Sequence, residues 1–283
     1  MKLGVSSYSF AHCISTEKWS YRDVCLKAKE MGFDGIEFIN LNAWKTAPDE
    51  EACAREIRTL CEEIGLEIVA YTVGANFLAE DIEAEKARLR RCIDVAALLG
   101  APVLRHDASF SLKKIPGYRW QDGIADMAPH IREITEYAAS KGIRTCSENH
   151  GFIYQAPERV EQLIRTVNHP NYGWLVDVGN FLCSDSDPVH AVITAAPYAF
   201  HVHVKDFLFK DGNGIAPEGF MMTAGGNYIR GTVIGHGCVP IPQCIAALKK
   251  AGYDGYVSIE FEGIERNIKA LELGAGYMRK VLG

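Results

Sequence analysis

The sequence predicts a parallel (β/α)₈ barrel, and three observations carry that expectation. A helix-like segment ending in glycine, followed within two residues by a β-rich run, recurs at Gly32, Gly65, Gly100, Gly142 and Gly252. Glycine suits such a stop because the residue after a helix often adopts a left-handed backbone. Eight strand-helix units are legible along the chain, and that alternation calls for parallel strands joined by crossovers. No Gly-x-Gly-x-x-Gly turn follows the first strand, and Gly235-His236-Gly237 lies far from it, which disfavours an open nucleotide-binding sheet.

Strands are expected at 2–10, 33–40, 66–75, 101–109, 143–150, 174–180, 199–207 and 253–263. Helices are expected at 21–31, 50–64, 82–99, 124–141, 157–167, 243–250 and 265–282. In the second helix Ala54, Ile57, Leu60, Cys61 and Ile64 form one apolar stripe, as a helix lying on a sheet requires. Ser20 and Asp49 stand where helix-start amides need acceptors. The stretch 208–240 breaks the rhythm: it is rich in glycine, carries Met221-Met222 and Tyr228, and is expected to be a long lid or binding loop after the seventh strand.

The 283 residues suit a barrel of about 250 residues as one domain, here 1–283. Apolar residues at 48% and charged residues at 23% allow a sizeable core and exclude disordered and fibrous classes. A net charge of −6 without a basic run offers no footprint for a phosphate backbone, so no nucleic acid partner is expected. No stretch is apolar over the ~20 residues a membrane span needs. The opening residues read as a strand rather than an export segment, so a cytoplasmic location is expected. The nine cysteines show no Cys-x-x-Cys spacing, which favours reduced thiols over structural zinc.

Reactive residues in such barrels sit at the C-terminal strand ends. The fifth strand ends Ser147-Glu148-Asn149-His150, the sixth Val176-Asp177-Val178-Gly179-Asn180, the seventh His201-Val202-His203-Val204-Lys205-Asp206, and the eighth Ser258-Ile259-Glu260-Phe261-Glu262. Alternation puts Glu148 on a face with His150, His203 with His201 and Lys205, and Glu260 with Glu262. Several carboxylates enclosed without a countercharge would each cost several kcal/mol, a difficulty that a divalent cation removes. Glu148, Asp177, His203 and Glu260 offer three oxygens and one nitrogen, suited to Mn²⁺, Mg²⁺, Co²⁺ or Zn²⁺, with Mn²⁺ favoured. A lone strand-end acid more often caps a helix or pairs with arginine; three acids and a histidine at successive strand ends are not explained that way.

The phrases Gly32-Phe33-Asp34-Gly35-Ile36-Glu37, Glu148-Asn149-His150-Gly151, Asp177-Val178-Gly179-Asn180, His201-Val202-His203-Val204-Lys205-Asp206 and Gly252-Tyr253-Asp254-Gly255 before Glu260 are similar to motifs of the xylose isomerase-like barrel superfamily. The chain resembles its sugar phosphate isomerase/epimerase branch over nearly its whole length. That resemblance implies the same four ligands and a small carbohydrate substrate. The implied activity is a metal-dependent isomerase or epimerase moving a proton next to a carbonyl through an enediolate, with Glu148 and Glu260 as base and acid. His150 is a further acid-base candidate, and Lys205, His106, Arg105 and His236 are candidate substrate contacts, Arg105 alternatively pairing with Asp107.

The ketose epimerases of the branch commonly carry histidine where this chain has Asn180. The alternative is therefore a lyase on the same scaffold, dehydrating a keto-inositol or eliminating from a 3-keto sugar. Asn180 and the acidic balance also argue against the abasic-site endonucleases of the superfamily. A non-catalytic sugar-binding subunit is a third reading. No phosphate cradle is evident, so a phosphorylated sugar is not required. Trp44, Phe77, Trp120 and Tyr154 are candidates for stacking on a ring or for a subunit contact, a homo-oligomer being a general expectation.

Overall fold

The computed structural model describes residues 1–45, 47 and 49–283. From β1 (Lys2–Ser6) the chain passes through a 3₁₀ turn (Ser7–Phe10) and α1 (Ala11–Ser15) into α2 (Tyr21–Glu30). There follow β2 (Gly35–Ile39), α3 (Glu50–Ile64), β3 (Glu67–Val73), α4 (Ile82–Leu99), β4 (Val103–His106), α5 (Trp120–Ser140), β5 (Arg144–Glu148) and α6 (Pro157–Val167). Next come β6 (Tyr172–Asp177), α7 (Pro188–Ala195), β7 (Ala199–Val204), β8 (Asp206–Lys210), β9 (Met221–Met222) and β10 (Tyr228–Thr232). The chain ends with α8 (Ile241–Lys250), β11 (Tyr256–Ile259) and α9 (Asn267–Leu282).

Strands pair in the closed order β1-β11-β7-β6-β5-β4-β3-β2, all parallel. Each crossover returns the chain through a helix on the outside. The expected glycine stops hold: Gly32, Gly65, Gly100, Gly142 and Gly252 all have positive φ. At the opposite helix ends, Ser20 and Asp23 form a reciprocal capping box on α2, and the Asp49, Asp81 and Asp187 side chains accept from the first turns of α3, α4 and α7.

The inner face of the barrel changes character along its axis. Ala70, Val103, Cys146 and Leu175 form a buried apolar layer, and two residues further along three of those strands stand Arg105, Glu148 and Asp177. The wall between barrel and helices is the main apolar core, built from residues such as Val5, Phe38, Leu104, Trp174, Val202 and Ile259. The register sets Asp177 of β6 beside His203 of β7, and His203 beside Ser258 of β11, so that Glu260, two residues on, opens onto the same space.

Two expectations need correction. A helix absent from the sequence reading, α7, lies between β6 and β7; its run of Val, Ile, Thr and Ala does not show a clear helical stripe. The stretch 208–240 is not one long loop, since β8, β10 and β9 form an antiparallel sheet. That flap is fastened on two sides. The Asp206 carboxylate accepts from the backbone amides of Phe207, Gly235, Gly237 and Val239. Asp185, in the loop after β6, accepts from Thr223 Oγ1 and Asn227 Nδ2, both at 2.8 Å, and from the Gly225 amide. The tip at 211–216 is exposed.

Candidate metal centre and active site

Glu148, Asp177, His203 and Glu260 converge at the C-terminal mouth of the barrel. One ligand atom from each lies within 4.8 Å of the others, and all four side chains are buried. Asp177 Oδ1 is fixed by the amides of Gly179 and Asn180 at 2.8 and 3.0 Å. Gly179 permits this because a Cβ there would lie 2.4 Å from the Lys205 carbonyl. The other oxygen, Asp177 Oδ2, is buried without a hydrogen-bond partner, and so is His203 Nδ1. His203 Nδ1 lies 3.7 Å from Glu260 Oε2 and 4.0 Å from Glu148 Oε1. Two orphaned, electron-rich atoms facing two carboxylates are what a divalent cation with mixed oxygen and nitrogen ligands satisfies. The residues present therefore fit such an ion.

The far nitrogen of His203 is held by Glu37, whose Oε2 is 2.6 Å from His203 Nε2 and 3.1 Å from His201 Nε2. Ser6 donates to the other Glu37 oxygen. Burial opposes the Glu37 charge, yet the two imidazoles hold the carboxyl well below its ordinary range. Burial equally opposes a charged His203, and Glu37 and Glu260 outweigh it and raise its pKa, whereas burial keeps His201 low. Burial pushes the Asp177 carboxyl up against the pull of Lys205. Glu37 is not among the site residues expected from the sequence, although the alternation of β2, with Gly35 and Glu37 on one side, turns it inward.

Arg105 is spent on carboxylates: its Nη2 lies 2.6 Å from Glu148 Oε2 and 2.8 Å from Asp107 Oδ1. Asn180 Nδ2 donates to the other Glu148 oxygen at 2.8 Å. Asp107 Oδ1 also lies 2.9 Å from His150 Nδ1. The His150 side chain is 40% exposed, and the Asp107 hydrogen bond raises its pKa in spite of burial. Lys205 Nζ sits 2.8 Å from Glu260 Oε2, 3.0 Å from Glu262 Oε2 and 3.6 Å from Asp177 Oδ2. Burial disfavours its charge, but these carboxylates more than compensate and hold its pKa well above the ordinary lysine value.

His106 does not belong to this constellation. Arg105 points inward, so His106 points out of the barrel, fully buried, with Phe77 at 5.1 Å and Tyr172 stacked at 5.8 Å between ring centroids. Its expected role as a substrate contact is corrected accordingly. His236 is exposed in the turn wrapped around Asp206, and among the described residues no hydrogen bond or ion pair ties its side chain to the cluster. Phe77 and Tyr154 are core residues rather than stacking platforms. The exposed rings near the mouth are instead Phe110, edge-on to His150 at 5.5 Å, and Phe152, which holds a left-handed backbone at φ 64°.

A closed parallel barrel with four buried groups at its C-terminal mouth that could hold a divalent ion defines the class of fold and site. The chain belongs to the xylose isomerase-like TIM barrel family, whose profile matches residues 25–281. A 3-dehydroshikimate dehydratase of Bacillus anthracis is 25% identical over 274 residues, covering 93% of this chain and 91% of that protein. Among solved structures, a D-psicose 3-epimerase superposes with a TM-score of 0.75 at 18% identity, covering all of both chains. The IolI protein with a bound zinc atom superposes with a TM-score of 0.77 at 18% identity, covering 100% of this chain and 98% of that one. The proteins similar to this chain thus include a dehydratase and, at the level of fold, an epimerase. Among the described residues no helix is long and apolar enough to cross a membrane.

Proposed function

We propose that this protein is a divalent-metal-dependent lyase that eliminates water or an alcohol from a cyclic β-hydroxy or β-alkoxy ketone, such as a keto-inositol, a keto-sugar or a related carbocycle. The observation that carries this reading is the pairing of His150 Nδ1 with Asp107 Oδ1 at 2.9 Å, beside a Glu148 whose two oxygens are taken by Arg105 and Asn180. A carboxylate held on both sides is a poor shuttle for protons. An imidazole oriented by a carboxylate and 40% exposed is a good one.

In the elimination, His150 takes the proton from the carbon next to the carbonyl. The C–H pair becomes the new double bond, the β C–O bond breaks, and the same imidazole returns the proton to the departing oxygen. Asp107 holds the ring and compensates its transient charge. Glu148, Asp177, His203 and Glu260 would hold the ion, which when bound supplies positive charge against the developing enolate. Manganese is our expected ion. The dehydratase among the relatives and the zinc in a structural neighbour are compatible with this assignment.

The second reading is an isomerase or epimerase using Glu148 and Glu260 as base and acid, favoured by their convergence on one point. Metal-loaded protein incubated in deuterated water with keto-inositols, keto-sugars and 3-dehydroshikimate separates the two. A conjugated enone or its aromatised product, abolished in His150→Ala, supports the lyase. Deuterium uptake with rearranged configuration and no loss of water overturns it in favour of the isomerase.

A further inference from the structure

We propose that the Lys205 ammonium is an internal competitor for the metal, and that Glu262, steadied by Tyr8, is the alternative berth that decides the competition. The inference rests on the metal reading above and adds a control to it.

Lys205 Nζ lies 2.8 Å from Glu260 Oε2 and 3.6 Å from Asp177 Oδ2. These are not idle oxygens. Glu260 Oε2 is the atom 3.7 Å from the orphaned His203 Nδ1, and Asp177 Oδ2 is itself without a hydrogen-bond partner. The built-in cation therefore sits against the atoms that an incoming ion would use. Two cations sharing the same oxygens repel, so ion binding must loosen Lys205 from Glu260 and Asp177.

Glu262 offers the ammonium somewhere to go. Its Oε2 lies 3.0 Å from Lys205 Nζ, its side chain is 42% exposed, and it stands outside the four-residue cluster. The Tyr8 hydroxyl, carried by the 3₁₀ turn after β1, donates to Glu262 Oε1 at 3.3 Å. With Glu262 present, Lys205 stays paired after releasing the ligand oxygens. Without it, the carboxylate partners of Lys205 among the described residues are only those ligands.

The test is metal affinity of the full-length apo protein, titrated with Mn²⁺ and with Zn²⁺ against a chromophoric chelator at fixed pH and ionic strength. Glu262→Gln should weaken binding about tenfold, and Lys205→Met should tighten it by about as much, the scale on which groups bordering a metal site act. In the Lys205→Met background, adding Glu262→Gln should change affinity less than about twofold, because Glu262 acts through Lys205. A tenfold weakening that persists in that background would show simple field loss and overturn the proposal. So would a Lys205→Met protein that binds no more tightly than wild type. Circular dichroism checks folding. If Lys205→Met does not fold, Lys205→Gln replaces it, and unchanged affinity in Glu262→Gln alone is sufficient to reject the idea. Wild-type protein that binds neither ion would instead remove the metal reading itself.

Discussion

One oxygen of Glu37, Oε2, serves two imidazoles at once, 2.6 Å from Nε2 of His203 and 3.1 Å from Nε2 of His201. Nε2 of His203 is thereby assigned as the donor, and Nδ1, turned toward Glu148 and Glu260, is the nitrogen left to ligate an ion. A carboxylate behind a ligand histidine fixes both its ring plane and its tautomer. Glu37→Gln should therefore lower metal affinity by roughly 10- to 100-fold while leaving the far-ultraviolet circular dichroism unchanged. Chelator competition on the folded variant checks it; an affinity equal to wild type would mean that the imidazole is oriented by its packing alone.

The His150–Asp107 pair should behave as one unit. His150→Gln and Asp107→Asn are each expected to lower kcat for elimination by about 10²- to 10⁴-fold, and the double variant by little more than the worse single one. Metal content by elemental analysis should be the same in all of them. A variant that loses metal along with activity would instead place this pair in the support of the ion.

His106 makes the fold acid-sensitive. Burial lowers its pKa from 6.5 to about 4. Between these values the unfolded chain binds a proton that the folded chain refuses. The stabilising contribution of the neutral ring is thus complete above about 6.5 and is lost as pH falls toward about 4, roughly 3 kcal/mol over the whole window. Denaturant unfolding of wild type and His106→Phe at pH 7.5 and 5 reads this directly. The variant should lose less stability between the two pH values, and identical losses would refute the assignment.

Asp206, the first residue of β8, should be worth much to the flap. Four backbone amides converge on its carboxylate, so Asp206→Ala leaves donors without partners and is expected to cost roughly 2–4 kcal/mol. Limited proteolysis should cut the variant within 211–240 sooner than wild type. Unchanged cleavage kinetics would show that Asp185 and the β8–β10 pairing are sufficient to hold the sheet.

Much of this was legible because the signals were local. Gly65 and Gly100 end helices by adopting left-handed backbone, with φ of 65° and 82°, a constraint visible from a single residue type after an amphipathic run. The convergence of Glu148, Asp177, His203 and Glu260 is legible because strand alternation and barrel closure together fix where such residues face. The same alternation that carries Arg105 inward carries His106 outward, so the two could not both have contacted a substrate. Glu37 is not legible as a site residue because a single strand-end glutamate has no partner in its own segment; its meaning depends on β7, 166 residues away. The flap was illegible for a similar reason. Its two-residue strand β9 carries no periodicity, and the aspartates that anchor it, Asp185 and Asp206, lie outside 208–240.

The double anchoring of that flap separates what must be preserved from what is free to vary. Its base is tied to the loop after β6 and to the residue following Lys205, whereas 211–216 projects into solvent. Such a tip can lengthen, shorten or be replaced by a foreign peptide with little effect on the strands beneath it. The arrangement offers evolution, or a protein engineer, an interchangeable tip on a fixed base.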